Sequence, residues 1–140
     1  MKRNKKISAA ITLLLIAFFT AGWVLPTPAP NKIPITINSV FDFSSYPFQG
    51  TFYTHGALEI KGNVTMEVDG NPNAPIAHCL YTFVAPAGTF IIRQECVFAT
   101  PLQGQGRWEI VSATGAYANF KGNGSALMPG NQENWVGFIY

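Results

Sequence analysis

Two polar residues, Tyr81 and Gln94, are the side chains best placed to contact a ligand, because their neighbours are apolar. Each lies in a segment that alternates like a strand, on the same face as Phe83 and Ile92. A buried hydroxyl or amide needs a hydrogen-bond partner, which is the other group, water or a ligand. Neither group titrates near neutral pH, so the pair suits recognition better than proton transfer. We therefore predict Tyr81 and Gln94 as ligand-binding residues in a mainly aliphatic and aromatic cavity, although the cavity could instead be filled by the protein's own side chains.

Acid-base chemistry has one candidate pair, Arg93 and Glu95, which share a strand face. In a catalytic interpretation Glu95 is a general base, and Arg93 holds an anionic substrate. An ion pair on the outer surface explains the same residues, and we favour it because such pairs are ordinary. His55 is adjacent to a glycine and is interpreted as a solvated turn residue, and His78 as a partly buried imidazole with a partner. No catalytic residue is assigned, and the sequence leaves open whether the protein is an enzyme.

The two cysteines, Cys79 and Cys96, are predicted to form a disulfide across one hairpin. If 86–89 is a four-residue loop, Ala85 pairs with Phe90 and the cysteines face each other, with Cα atoms ~4.5 Å apart. Two cysteines and one nearby histidine are too few ligands for a metal site, and the spacing is not that of a redox motif. Two buried free thiols are the alternative. We predict no metal and no cofactor.

The segments that hold these residues are strands, since no helical period is sustained after residue 30. The predicted strands are 33–40, 48–55, 57–69, 76–84, 90–98, 107–112, 117–121 and 135–140. The residues expected to point inward are Leu58, Ile60, Val64, Met66, Val68, Trp108 and Ile110. A long strand with one wet face is typical of antiparallel sheets. We predict an all-β fold, a single antiparallel barrel of seven to eight strands over residues 33–140.

One segment, residues 106–125, carries the curvature that a barrel needs. It is predicted as a strand, a bend at Gly115, a second strand and a turn at Gly122 and Gly124. A glycine between two strands supplies the local bend that closes a sheet.

This segment, with its Trp-x-Ile, Thr-Gly-x-Tyr and Gly-x-Gly spacing, resembles the allene oxide cyclase or dirigent-like barrel group, as does the segment 78–96. The resemblance implies an eight-stranded antiparallel barrel with an interior cavity. Plant members of that group include a cyclase acting on a reactive fatty-acid epoxide and proteins that steer radical coupling. Both enclose an apolar substrate. Their catalytic residues cannot be placed on this sequence.

Residues 1–25 are typical of a signal peptide or a signal anchor. Four cations lie in the first six residues, and residues 7–25 carry no charge. At helical rise such a stretch spans roughly 28 Å, close to the thickness of a bilayer core. The barrel is therefore expected behind an apolar leader helix and a proline-rich linker, residues 26–32. This predicts an extracytoplasmic protein, secreted, periplasmic or anchored, that meets the membrane only through an uncleaved leader.

The charge balance argues against a nucleic-acid partner. The chain has nine cations and seven anions, but without the leader five cations remain and the net charge is −2. The sequence leaves the oligomeric state open. Two functions remain: a non-enzymatic barrel that binds a small apolar ligand or has a structural role, and a cyclase or isomerase acting on an apolar substrate inside the barrel.

Overall fold

The fold is an antiparallel β-barrel in a computed structural model that describes residues 31–56, 58–71, 74–100 and 103–140. Each of the eight strands pairs with the next, and the last strand returns to the first, so that the barrel is closed. The strands are β1 (Ile33–Asp42), β2 (Phe48–Gly56), β3 (Lys61–Asp69), β4 (Ile76–Ala85), β5 (Gly88–Thr100), β6 (Gln103–Ala113), β7 (Gly122–Pro129) and β8 (Gln132–Ile139). The predicted all-β antiparallel barrel is confirmed, with eight strands.

The predicted leader helix lies outside the described residues, as do residues 26–30 of the linker. Asn31 and Lys32 precede β1 without forming a strand. Among the residues that the structure describes, no helix has the length and apolar character needed to cross a membrane.

Alternating burial along each strand produces the core. In β4, for example, every second residue from Ala77 to Ala85 is buried. Closure pairs β1 with β8, so no described strand has a free edge, and nearly all of the buried apolar side chains meet in one central cluster. Of the residues predicted to point inward, Val64, Met66 and Trp108 are buried. The other four, Leu58, Ile60, Val68 and Ile110, are partly buried and pack against the same core.

The predicted strand 57–69 is shorter in the structure, because β3 begins only at Lys61. The Thr54 side chain stabilises the connection between β2 and β3. Its Oγ1 donates a hydrogen bond to the Leu58 carbonyl at 2.7 Å and accepts one from the Ile60 amide at 2.8 Å. Leu58 and Ile60 therefore reach the core from a folded connection and not from a continuous strand.

The turn between β4 and β5 is tighter than predicted. Ala85 pairs with Gly88 and not with Phe90, so the loop is the two residues Pro86 and Ala87. The connection after β6 packs closely here, since the Ala116 amide donates to the Ala87 carbonyl at 2.9 Å. A Cβ on Gly88 would lie 2.3 Å from the Thr114 carbonyl oxygen, so only glycine allows this approach. The predicted register of this hairpin is wrong by two residues.

The bend at Gly115 is present, but the segment after it differs from the prediction. Gly115 has φ +62° and begins a short 3-10 turn, Gly115–Tyr117, so the predicted strand 117–121 is wrong. Gly122 and Gly124, predicted as a turn, lie inside β7. Gly124 is needed there because Trp108 packs against it: a Cβ would lie 2.8 Å from the Trp108 Nε1.

The two ends of the barrel are closed by different aromatic groups. The Tyr117 end, which also holds both ends of the described chain, is covered by Tyr117 packed edge-on against Phe90 at 5.9 Å between ring centroids. The Phe48 end holds the connection between β1 and β2. There Phe43 stacks on Phe41 at 5.9 Å and meets Phe48 edge-on at 5.0 Å.

Candidate functional site

A hydrogen-bonded chain of polar side chains crosses the barrel interior. The Gln94 amide nitrogen, from β5, donates to Glu133 Oε1 at 2.5 Å. The Trp135 indole N–H, from the same strand as Glu133, donates to the Gln94 carbonyl oxygen. Gln94 is 2% exposed and Glu133 and Trp135 are 0% exposed. Because β5 and β8 are not neighbours in the barrel, these bonds join opposite walls.

Small residues on adjacent strands make room for this chain. Gly106 lies on the strand beside Gln94, and a Cβ there would be 3.1 Å from the Gln94 Cγ. Ala126 lies directly opposite Trp135 in the register of β7 and β8. Large inward side chains facing small ones fill a barrel without clashes. The sequence therefore directs Gln94 and Trp135 towards the centre by leaving space next to each of them.

The two cysteines lie beside Gln94 as free thiols, and the predicted disulfide is not formed. Their sulfur atoms are 3.7 Å apart. Cys79 pairs with Gln94, and Cys96 pairs with Ala77, so the cysteines are diagonal neighbours and not directly opposed. Diagonal positions lie ≈7–8 Å apart at Cα, at the limit of what a disulfide can bridge.

The thiols form a hydrogen-bonded sequence with the amide. The Gln94 amide nitrogen donates to the Cys96 sulfur at 3.1 Å, and the Cys96 thiol donates to Cys79. This bond raises the pKa of the Cys96 thiol and lowers that of Cys79, which accepts it. The name interior cluster is used for these thiols and the buried groups around them: Ser39, Cys79, Tyr81, Gln94, Cys96, Glu133 and Trp135.

Three oxygens of the interior cluster have no hydrogen-bond partner in the described structure: Ser39 Oγ, Tyr81 Oη and Glu133 Oε2. Ser39 lies directly opposite Glu133 in the register of β1 and β8. The Tyr81 hydroxyl faces the Glu133 carboxyl, although neither Tyr81 Oη nor Glu133 Oε2 makes a hydrogen bond of regular geometry. Burial and then this side-chain contact raise the pKa of Tyr81, and the same contact offsets part of the rise that burial causes in the pKa of Glu133. The unpartnered oxygens are therefore grouped around one carboxyl.

Burial sets the charge of that carboxyl. Removal from water raises the pKa of Glu133 to about 8, and the hydrogen bonds that favour the ionised form offset only part of this effect. No described lysine or arginine stabilises the ionised carboxylate, because these side chains are all exposed on the outer surface: Lys32, Lys61, Arg93, Arg107 and Lys121. Glu133 is thus mainly protonated at neutral pH, and its O–H is a hydrogen-bond donor.

Aromatic rings enclose the interior cluster. Tyr81 meets the Trp135 ring edge-on at 5.1 Å between centroids, and Phe83 does the same at 5.5 Å. Phe83 also stacks on Phe90 at 4.7 Å. The barrel interior is therefore filled by its own side chains, which form an apolar wall around a few polar atoms.

The two predicted ligand-binding residues both point inward and both are buried, as predicted. They are not opposed: Tyr81 pairs with Ile92, and Gln94 pairs with Cys79. The Gln94 amide already has protein partners, whereas the Tyr81 hydroxyl does not. Glu133 was not predicted from the sequence, although its alternation with Trp135 and Ile139 places it on the inner face of β8.

The candidate acid-base pair lies on the outer wall. Arg93 pairs with Glu109, and Glu95 is flanked by His78 and Arg107 along a groove of about 500 Å³. The predicted location on the outer surface is confirmed, because both residues are exposed. His55 is exposed, but it lies at the end of β2 and not in a turn, with its ring edge-on to Tyr53 at 4.9 Å.

No group of three or more metal-ligating side chains is present in the described part of the chain. Comparison with known proteins identifies no relative: no family model, curated protein or solved structure matches the chain. Function must therefore be inferred from the interior cluster, which can offer a neutral carboxyl and two hydroxyls to a polar atom inside an aromatic enclosure.

Proposed function

We propose that this protein is a non-enzymatic barrel, located outside the cytoplasm, that binds a small and largely apolar molecule within the interior cluster. One observation carries the proposal: the Tyr81 hydroxyl and Glu133 Oε2 are neighbouring buried oxygens, and neither makes a hydrogen bond of regular geometry to the protein. Buried polar groups require partners, and one polar atom of a ligand would satisfy both. The surrounding rings would bury the rest of the ligand.

A ligand must displace side chains to enter, because an eight-stranded barrel is just wide enough for its own side chains or one small ligand. The Phe48 end offers the easiest route. Phe43, Phe48 and Phe98 are only partly buried there, and Met66 and Met128 also pack in the core. Methionine is unbranched and adapts to new neighbours, so this end can open at modest cost.

The proposal also includes membership of the allene oxide cyclase or dirigent-like group. The closed eight-stranded antiparallel barrel supports it, since this is the architecture that the resemblance implies. Fold alone does not assign an activity. An extracytoplasmic location rests on the basic and then uncharged residues 1–25. Expression of the full chain followed by cell fractionation and N-terminal sequencing tests the location and shows whether the leader is cleaved.

A thermal-shift screen tests binding. Small phenolics and long-chain apolar molecules are added to the purified protein, and we expect some of them to raise the unfolding temperature. Tyr81→Phe removes one unpartnered hydroxyl and should reduce the shift, whereas Tyr53→Phe alters a half-exposed ring on the outer wall and should not. If no compound stabilises the protein, the proposed binding function is wrong.

The second candidate is a cyclase or isomerase, and Glu133 is the observation that favours it. A buried carboxyl with a pKa near 8 is a suitable general acid at neutral pH. Ligands found in the screen are incubated with the protein and then analysed by chromatography. Conversion to an isomer that is lost in Glu133→Gln would establish an enzyme, and recovery of unchanged ligand supports binding alone.

A further inference from the structure

We propose that the interior cluster selects ligands whose polar group is a neutral hydrogen-bond acceptor, such as a ketone, ester or ether oxygen, and that it rejects carboxylates and ammonium groups. This inference rests on the proposed binding function and names the chemical class of its ligand. It depends on which polar atoms of the interior cluster are already paired, which are free, and what charge surrounds them.

The amide of Gln94 is not available to a ligand. Its nitrogen donates to Glu133 and to the Cys96 sulfur, and its oxygen accepts the Trp135 indole N–H. The groups left over are the hydroxyls of Ser39 and Tyr81 and the second oxygen of Glu133. The unpaired side of the interior cluster therefore consists of hydroxyl groups and one carboxyl oxygen.

The Glu133 carboxyl presents its proton to the unpaired side of the interior cluster. Glu133 is 0% exposed, and the titratable groups that face it are Tyr81, Cys79 and Cys96, which supply no positive charge. An ionised carboxyl buried without a cation is strongly disfavoured, so Glu133 stays neutral and carries an O–H donor.

Two neighbouring donors, the Tyr81 hydroxyl and the Glu133 carboxyl, match one acceptor oxygen. A carbonyl oxygen has two lone pairs and can accept both bonds at once. Such a ligand satisfies both groups without bringing a charge into the aromatic enclosure.

Charged headgroups fit this site poorly. A carboxylate would add a negative charge where no described cation reaches, since all of these cations are exposed. An ammonium group would require Glu133 to lose its proton and would bury an ion pair, whose desolvation offsets much of the attraction. A neutral acceptor on an apolar chain incurs neither cost.

Three probes of similar chain length separate these headgroups: 2-undecanone, decanoate and decylamine. Binding of each to the purified protein is measured by isothermal titration at pH 7. We expect 2-undecanone to bind more than about tenfold tighter than either charged probe. Tyr81→Phe should weaken ketone binding by about tenfold, because the lost donor leaves only one bond to the carbonyl.

The controls keep the outcomes distinct. Tyr53→Phe should leave ketone affinity unchanged, and far-UV circular dichroism verifies that each variant retains its barrel. Ser39→Ala, a small change beside Glu133, serves as a second variant if Tyr81→Phe does not fold. It should weaken ketone binding by less than the roughly tenfold loss expected for Tyr81→Phe. Decanoate or decylamine binding as tightly as the ketone would overturn the headgroup selectivity and leave the binding function intact. No binding by any of the three would overturn both.

Discussion

Gln94 and Glu133 are hydrogen bonded across the centre of the barrel, although they are 39 residues apart in the chain. Both residues are buried. The bond joins two strands that share no backbone ladder, so it adds a cross-link that the sheet itself does not provide. A bond of this kind aligns opposite walls and holds a carboxyl in a defined position, which an apolar core would not do.

Removing this bond should destabilise the barrel. Gln94→Leu keeps a side chain of similar size but leaves Glu133 Oε1 and the Trp135 indole N–H without their partner. Two unsatisfied buried groups predict a loss of roughly 2–4 kcal/mol in the free energy of unfolding. Urea denaturation measures it. Gln105→Leu, on the exposed face of β6, should change stability by less than about 0.5 kcal/mol, and equal losses in the two variants would contradict the role of the bond.

Stability should fall as the pH rises towards 8. The folded pKa of Glu133 is raised to about 8 from 4.5, so the folded protein binds a proton that the unfolded chain has released. Between these values the free energy of unfolding decreases with pH, by at most about 5 kcal/mol in total. Denaturation at pH 5, 6.5 and 8 should show this slope. The other titratable groups facing Glu133 are Tyr81, Cys79 and Cys96.

The variant Glu133→Gln isolates that effect. An amide of the same shape can still accept the bond from Gln94, but it does not titrate. We expect the part of the slope between pH 5 and 8 that Glu133 contributes to be lost, so that only the dependence due to other groups remains. A slope that is the same in both proteins would show that Glu133 is not the titrating residue.

The alternation of apolar and polar residues was enough to predict the barrel and its inner face. It could not identify the partner across the β4–β5 hairpin, because a shift of two residues leaves every side chain on its own face. Tyr81 and Gln94 therefore point inward as predicted, while the facing pairs are different. The register depends on the turn, and the turn depends on Gly88 meeting a distant connection.

Glu133 was not predicted as a site residue for a similar reason. Glu133 is a charged residue at an inward position, which opposes the usual hydrophobic pattern, and its partner Gln94 is remote in the chain. Gly124 was predicted as a turn residue because closely spaced glycines are a turn signal, but it lies in β7, where it faces Trp108 on the neighbouring strand. Short-range patterns describe turns and faces, but they contain no information about which distant side chain fills a space.

Both cysteines should be free and protected in the folded protein. Cys79 is 0% and Cys96 is 1% exposed, and both are free thiols with no disulfide between them. We expect a thiol reagent to modify neither residue within minutes under native conditions and to modify two thiols per chain in denaturant without reductant. Reaction of fewer than two thiols in denaturant would mean that the protein in solution contains the disulfide.

The fit of Trp108 against Gly124 should be sensitive to a single methyl group. A Cβ on Gly124 would lie 2.0 Å from the Val136 carbonyl oxygen and 2.8 Å from the Trp108 Nε1. The backbone oxygen cannot move without breaking the pairing of β7 with β8, so Gly124→Ala should cost about 1–3 kcal/mol in the free energy of unfolding. The indole N–H also donates to the Ser125 carbonyl at 3.0 Å, and displacement of the ring would strain that bond. Tryptophan fluorescence during urea denaturation follows both effects.

Ser125→Ala, whose side chain is exposed on the outer face, is the matched control and should change stability by less than about 0.5 kcal/mol. If Gly124→Ala is as stable as this control, the close packing of Trp108 against β7 is wrong.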